Sequence, residues 1–296
     1  MIRFGPWPVR AAWLLLPLLA GPVLAGALDD TARATQVVAS LGLWAGWLAG
    51  LLATLLPRTV TLTAVRLLAS AAVVAVAWAA IDAGTGGSGE ATAVGWRVAG
   101  LVNGLVAAVL AFAPETGRLF VDGSSYGDEQ RFPLRVPAPL LAGPVPLAWL
   151  AVVVGATAGP LLLAAKLWVV GAVALVAGCA AAWWGVRALH VLARRWVVLV
   201  PAGLVLHDQL ALADPILLRR EEVQGLDPAL ADTDALDLTR GALGLALELT
   251  LVGPVALTLA AAGPTGTAEA VKAERLLFTP TQPGALLAAA RPRRLG

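Results

Sequence analysis

Long, nearly uncharged apolar runs fill the first 186 residues, and they limit what this chain can fold into. Overall, 59% of its 296 residues are hydrophobic and only 14% are charged, against about 25% charged in an ordinary soluble domain. Mean hydropathy is +0.81. A soluble fold of this size could not cover that much apolar surface. Residues 187–296 differ, with a near-normal share of charge, so a second, water-soluble region is expected there.

A bilayer core calls for about 20 apolar residues per helix. Four runs meet that length separately: 11–28, 35–56, 59–81 and 91–113. A polar stretch, Glu115 to Arg135, follows. The run from Pro139 to Leu189 is too long for one helix. Proline suits a helix's first turn and not its interior, so Gly159-Pro160 is expected to divide it into spans 139–158 and 160–189. The neighbourhood of Lys166 is the alternative turn. Six helices result, giving a transmembrane domain over 1–190. The first run has a second reading as a cleaved signal peptide, with Arg3 and Arg10 as its basic region and Ala25-Gly26-Ala27 as the cleavage site.

Orientation follows the asymmetry of positive charge. With the N-terminus inside, Arg3, Arg10, Arg58, Arg118, Arg131, Arg135, Arg187, Arg194 and Arg195 share one side. Only Arg33, Arg97 and Lys166 fall on the other, together with Asp29, Asp30, Asp82 and Glu90. Both termini are therefore expected in the cytoplasm of a bacterial plasma membrane.

Little in the spans points to chemistry. Gly42, Gly46 and Gly50 recur every four residues, a ridge that lets helices approach closely. Gly155 and Gly159, and Gly171, Gly178 and Gly185, repeat small-residue spacings. Asn103 is the most deeply placed strongly polar side chain, and bonding to a neighbouring helix is its expected role. No acidic residue lies near a span centre, which disfavours proton-coupled transport. Zinc-protease, nucleophile-elbow and phosphate-loop signatures are missing from the sequence. A single cysteine, Cys179, and two histidines, His190 and His207, rule out a cysteine–histidine zinc site. No cofactor or metal is expected. The net charge of +2 gives no basis for nucleic-acid binding.

Beyond Arg195 the pattern turns to short alternating runs. Strands are expected at Trp196–Pro201 and Leu204–His207, across the turn at Pro201-Ala202-Gly203. Others are expected from Ile216 towards Val223, at Ala235–Thr239 and at Leu243–Leu251. Pro254–Ala260 is expected to form a hairpin with the last of these across Val252-Gly253. Arg275–Thr279 is read as the final strand, and Pro283 opens a closing helix.

The segments Arg195–Leu206, Leu217–Leu226 and Leu276–Pro283 together resemble bacterial pleckstrin-homology-like (PH-like) domains over residues 194–292. The whole layout resembles an uncharacterised actinobacterial family of multi-pass membrane proteins. That resemblance implies a small, mostly-β cytoplasmic domain with one C-terminal helix. Lipid-binding relatives carry a basic loop between their first two strands. Here that loop is Pro201-Ala202-Gly203, and acids and bases in residues 187–296 balance at eleven each. Protein contact is therefore favoured over headgroup binding.

Two polar constellations are candidate interaction sites. One is His207-Asp208 with Asp214, where turn chemistry before Pro215 competes with a role toward a metal or a partner's basic group. The other is the Asp122–Arg131 loop, with Asp122, Tyr126, Asp128, Glu129 and Arg131. It is either a solvated loop or a docking element for the C-terminal domain or a partner. The expected function is a membrane-anchored, non-enzymatic binding or scaffold protein. It would contact the bilayer and a cytoplasmic or membrane protein, and small-residue ridges admit a homo-oligomer. The alternative is a transporter, channel or transport accessory subunit.

Overall fold

A computed structural model describes residues 5–82, 90–261 and 268–295. Arg3, counted above in the basic N-terminal flank, lies outside them, as does the side chain of Glu90. The described chain divides into two compact units, residues 1–120 with 147–189, and residues 121–146 with 190–296.

The first unit holds helices α1 (Trp7–Leu28), α2 (Arg33–Leu55), α3 (Thr59–Asp82), α4 (Glu90–Phe112) and α7 (Pro144–Ala164), and most of α8 (Trp168–Ala193). Among the described residues these six are long and apolar enough to cross a membrane. Only 11% of the most apolar α8 window is buried inside the protein. Surface of that kind needs a hydrocarbon solvent, and it marks the chain as an integral membrane protein.

Helix α1 is the most buried of the six. Val9, Ala12, Trp13, Leu16, Ala20 and Val23 are all within its packed face. Pro17 lacks the N–H that would bond the carbonyl of Trp13, four residues back, and in lipid a freed carbonyl needs another donor. Trp47 supplies it: its indole Nε1 donates to Trp13 O at 3.1 Å. Trp13 Nε1 in turn donates to Trp47 O at 2.8 Å. Two helix ends are closed by arginines in the same spirit. Arg10 donates through Nε and Nη2 to Thr54 O, in the last turn of α2. Arg66 donates to Ala111 O in the last turn of α4, at 3.3 Å. A cation there also suits the helix dipole.

Several boundaries differ from expectation: the run expected from Ile216 towards Val223 is broken by a 3-10 turn at Arg220–Glu222, and two others bear on the architecture. Helix α7 runs through Pro160 to Ala164, so the division is at Lys166 and not at Gly159-Pro160. Pro160 forfeits one backbone hydrogen bond without ending the helix. The stop is made by Lys166 in the left-handed region at φ 64°. Lys166 N donates to Leu163 O and Leu167 N to Leu162 O, the paired bonds of a Schellman ending. The second difference is in the β region, where Val252-Gly253 makes no hairpin turn. Strand β7 is one strand from Leu247 to Leu259, with a register shift between Thr250 and Val255 that absorbs Gly253 and Pro254. Its partner is β8 (Glu269–Phe278).

The second unit contains two four-stranded sheets. In the first the order is β1 (Gln130–Pro133), β2 (Trp196–Val200), β3 (Gly203–His207), β4 (Ile216–Arg219). The second has the order β5 (Val223–Pro228), β7, β8, β6 (Leu236–Asp237). Side chains alternate as strands require. Phe132, Val197, Leu199, Leu204, Leu206 and Leu218 of one sheet share a single core with Leu226, Leu247, Leu249, Leu276 and Phe278 of the other. Helix α9 (Pro283–Ala290) adds Leu286 and Ala290 to it.

Residues 121–146, placed by the sequence reading in the transmembrane domain, pack with this second unit. They hold the end of α5 (Pro114–Asp122), strand β1 and α6 (Ala138–Ala142). Strand β1 pairs with β2 on one side. On its other side Thr281 N donates to Pro133 O and Arg135 N to Thr279 O. The segment after β1 therefore joins the two sheets along a seam. An apolar alternation of only four residues inside a charged loop gave no periodic signal for this.

Candidate functional site

The two polar constellations fall on the same sheet, and the structure gives them different roles. The register of the β2–β3 hairpin pairs Trp196 with His207. The same register sets Arg195 opposite Asp208, at the core-facing parity of Val197 and Leu206. Both side chains are only 1% exposed. Arg195 grips the carboxylate with two prongs, Nε to Oδ1 at 2.7 Å and Nη2 to Oδ2 at 2.6 Å. Its third nitrogen, Nη1, donates to Arg135 O at 2.6 Å. Asp208 Oδ1 also accepts from Leu210 N at 3.0 Å. With its lone pairs so occupied, Asp208 is a structural group. It holds together the starts of β2, the end of β3 and the segment after β1.

His207 and Asp214 do not join it. His207 lies on the opposite face, stacked on Trp196 with ring centroids 4.8 Å apart, and its Nδ1 is 3.0 Å from Arg194 O. Asp214 is exposed. Among the described residues no group of three or more His, Cys, Asp or Glu side chains is gathered as metal ligands would be.

The Asp122–Arg131 loop is ordered by its own side chains. Asp122 Oδ1 accepts from Ser125 Oγ and from Arg131 N, both at 2.8 Å. That bond fixes where β1 begins. Arg131 lies over the Trp196 ring at 5.7 Å and reaches Glu129 Oε2 at 3.4 Å. The outer face of the sheet thus carries a row of Arg131, Trp196 and His207. Arg293, beyond α9, donates to Asp128 O at 2.5 Å. Tyr126 is left at the tip, 88% exposed. Chemically, this surface offers one large aromatic, two carboxylates and a guanidinium, suited to contact with another macromolecule.

In the helical unit Asn103 Nδ2 donates to Ala12 O at 3.1 Å and is buried. The Gly42–Gly46–Gly50 ridge is used at one end only. A Cβ at Gly50 would strike the Trp13 ring, Gly46 has Leu68 at van der Waals distance, and Gly42 faces open space. Closer helix contact occurs at glycines of α7 and α8. Gly155 and Gly178 meet backbone to backbone, and Gly159 lies on Leu175. Gly100 and Gly104 of α4, overlooked in the sequence, face Ala20 of α1 and Val73 of α3. Their four-residue spacing was the signal that could have found them.

Comparison with protein-family models, with curated proteins and with solved structures found no match.

Proposed function

We propose that this chain is a membrane-anchored, non-enzymatic binding or scaffold protein. Its β unit is read as a PH-like domain on the cytoplasmic side of a bacterial plasma membrane, in keeping with the resemblance to actinobacterial proteins. The observation that carries the proposal is the ordered Asp122–Arg131 loop. It is tied to the sheet through Asp122 and Arg131, yet holds Tyr126 fully forward. A presented aromatic flanked by Asp128 and Glu129 is a contact surface of protein-binding kind. Support also comes from Asp208, whose engagement with Arg195 leaves it no part in ligand chemistry. The β1–β2 pairing supports placing loop and domain on one side, because two spans, α7 and α8, separate the strands.

The transporter alternative draws on the six spans, but the buried amide of Asn103 is already engaged by Ala12. The test is partner capture from membranes by in-cell crosslinking. The intact chain is compared with a Tyr126→Ser, Glu129→Lys variant and with a Val252→Ser variant, at a position 71% exposed, as a surface control. The intact chain and the control are expected to recover the same proteins, and the loop variant to lose them. Identical recoveries from all three would sink the scaffold reading.

A further inference from the structure

We infer that the turn between β6 and β7 is a membrane-interface anchor that inserts leucine side chains into the lipid, tethered close to where span α7 begins. The inference rests on the reading of the six helices as spans. Residues 239–246 form a shaped turn, with Arg240, Gly241 and Gly244 all at positive φ. Thr239 N donates to Asp237 Oδ1, Gly241 N to Thr239 Oγ1 and Ala242 N to Thr239 O. A turn so fixed usually keeps polar side chains outward. This one presents Leu243 at 72% exposure and Leu245 at 51%. Ala229 N donates to Ala246 O, which sets Leu230, 73% exposed, beside Leu245. Three exposed leucines in and beside one turn are a patch that calls for a partner.

The identity of that partner follows from where the turn is fastened. Ala138 N donates to Gly241 O, and Pro139 packs on Gly241. Six residues beyond Ala138, at Pro144, span α7 begins. Even fully extended, six residues reach about 20 Å, and four of these residues are coiled into α6. Leu141 of α6 is itself 52% exposed, so the linking segment is apolar on its surface as well. Arg135 and Arg240 are exposed beside the leucines, and the Arg135 guanidinium lies against Gly244. Arg240 is turned back onto Leu210 O and Ala260 O, which leaves the Arg135 guanidinium as the cation for headgroup level beside the apolar tip. Of the nearby carboxylates, Asp234 pairs with Arg275 and Asp237 accepts the Thr239 bond, while Asp232 is exposed two residues from Leu230, so insertion is assigned to Leu243 and Leu245. The bilayer itself is therefore the occupant.

The test uses the full-length chain in lipid nanodiscs, with an environment-sensitive fluorophore on single cysteines and quencher-bearing lipids. One sample is labelled at the native Cys179, exposed in the middle of α8. The others carry Cys179→Ala with Leu243→Cys, Leu245→Cys or Val252→Cys. Val252 is 71% exposed and about 17 Å along β7 from Leu247. A deep quencher is expected to quench Cys179. A quencher near the headgroups is expected to halve, to about 50%, emission at positions 243 and 245 while leaving 252 unchanged. Quenching at Cys179 with emission at 243 and 245 equal to that at 252 would overturn the anchor alone. So would labels at 243 and 245 that are shielded from water yet unquenched, since a protein would then cover them. Absence of quenching at Cys179 would instead remove the spans, and the anchor with them.

Discussion

Arg195 and Asp208 show what a single residue can decide here. A guanidinium and a carboxylate that are each 1% exposed survive burial only together. Asp208→Leu is expected to destabilise the β unit by about 3–5 kcal/mol, because it strands the Arg195 charge. The double change Arg195→Met with Asp208→Leu should recover most of that loss. Hydrogen-exchange protection of the β2 and β3 amides in the solubilised full chain measures both. Equal losses in the single and double variants would mean that the pair does not hold the fold in the way described. The pair was half legible: Asp208 stood out in the sequence, but its partner depended on the register of a hairpin. Pro201-Ala202 is a two-residue turn, and counting outward from it sets 195 against 208.

At the level of elements, the spans were legible and the joins between the sheets were not. Twenty apolar residues in a row leave a chain few choices, whereas a four-residue strand is defined by its neighbours. Strand β1 is the clearest case. Phe132 and Leu134 complete a core built mostly from residues 197–295, yet they lie in a loop between spans. A fragment of residues 190–296 alone is therefore expected to lack cooperative unfolding, since it leaves one edge of β2 unpaired and the core open. Joining residues 126–137 to its N-terminus through a flexible linker should restore a cooperative transition and dispersed amide resonances. The same fold in both fragments would show β1 to be dispensable. The hairpin expected at Val252-Gly253 failed for a related reason: glycine and proline fit a bulge on a long strand as well as a turn.

For the whole molecule, the sheet supplies an argument about topology that charge counting cannot. Two spans lie between β1 and β2, and strands that share hydrogen bonds must share a side. In a Cys179→Ala background, Tyr126→Cys and Leu217→Cys are expected to react with a membrane-impermeant maleimide only after the cytoplasmic face is opened. Asp30→Cys, between α1 and α2, should react in intact cells. Reaction of Tyr126→Cys and Leu217→Cys from opposite faces would contradict the sheet itself.

Strand β1 also has a history during synthesis. It leaves the ribosome 63 residues before β2 begins, so at ordinary translation speeds it waits some 3–13 s for a mate. During that time it is an open edge, a hazard for wrong pairing. Its other flank waits for Thr279–Thr281, which follow β2 and β3 in the chain. The β unit thus cannot close until both intervening helices have been threaded into the bilayer, and a nascent chain with one helix misinserted would never complete its sheet.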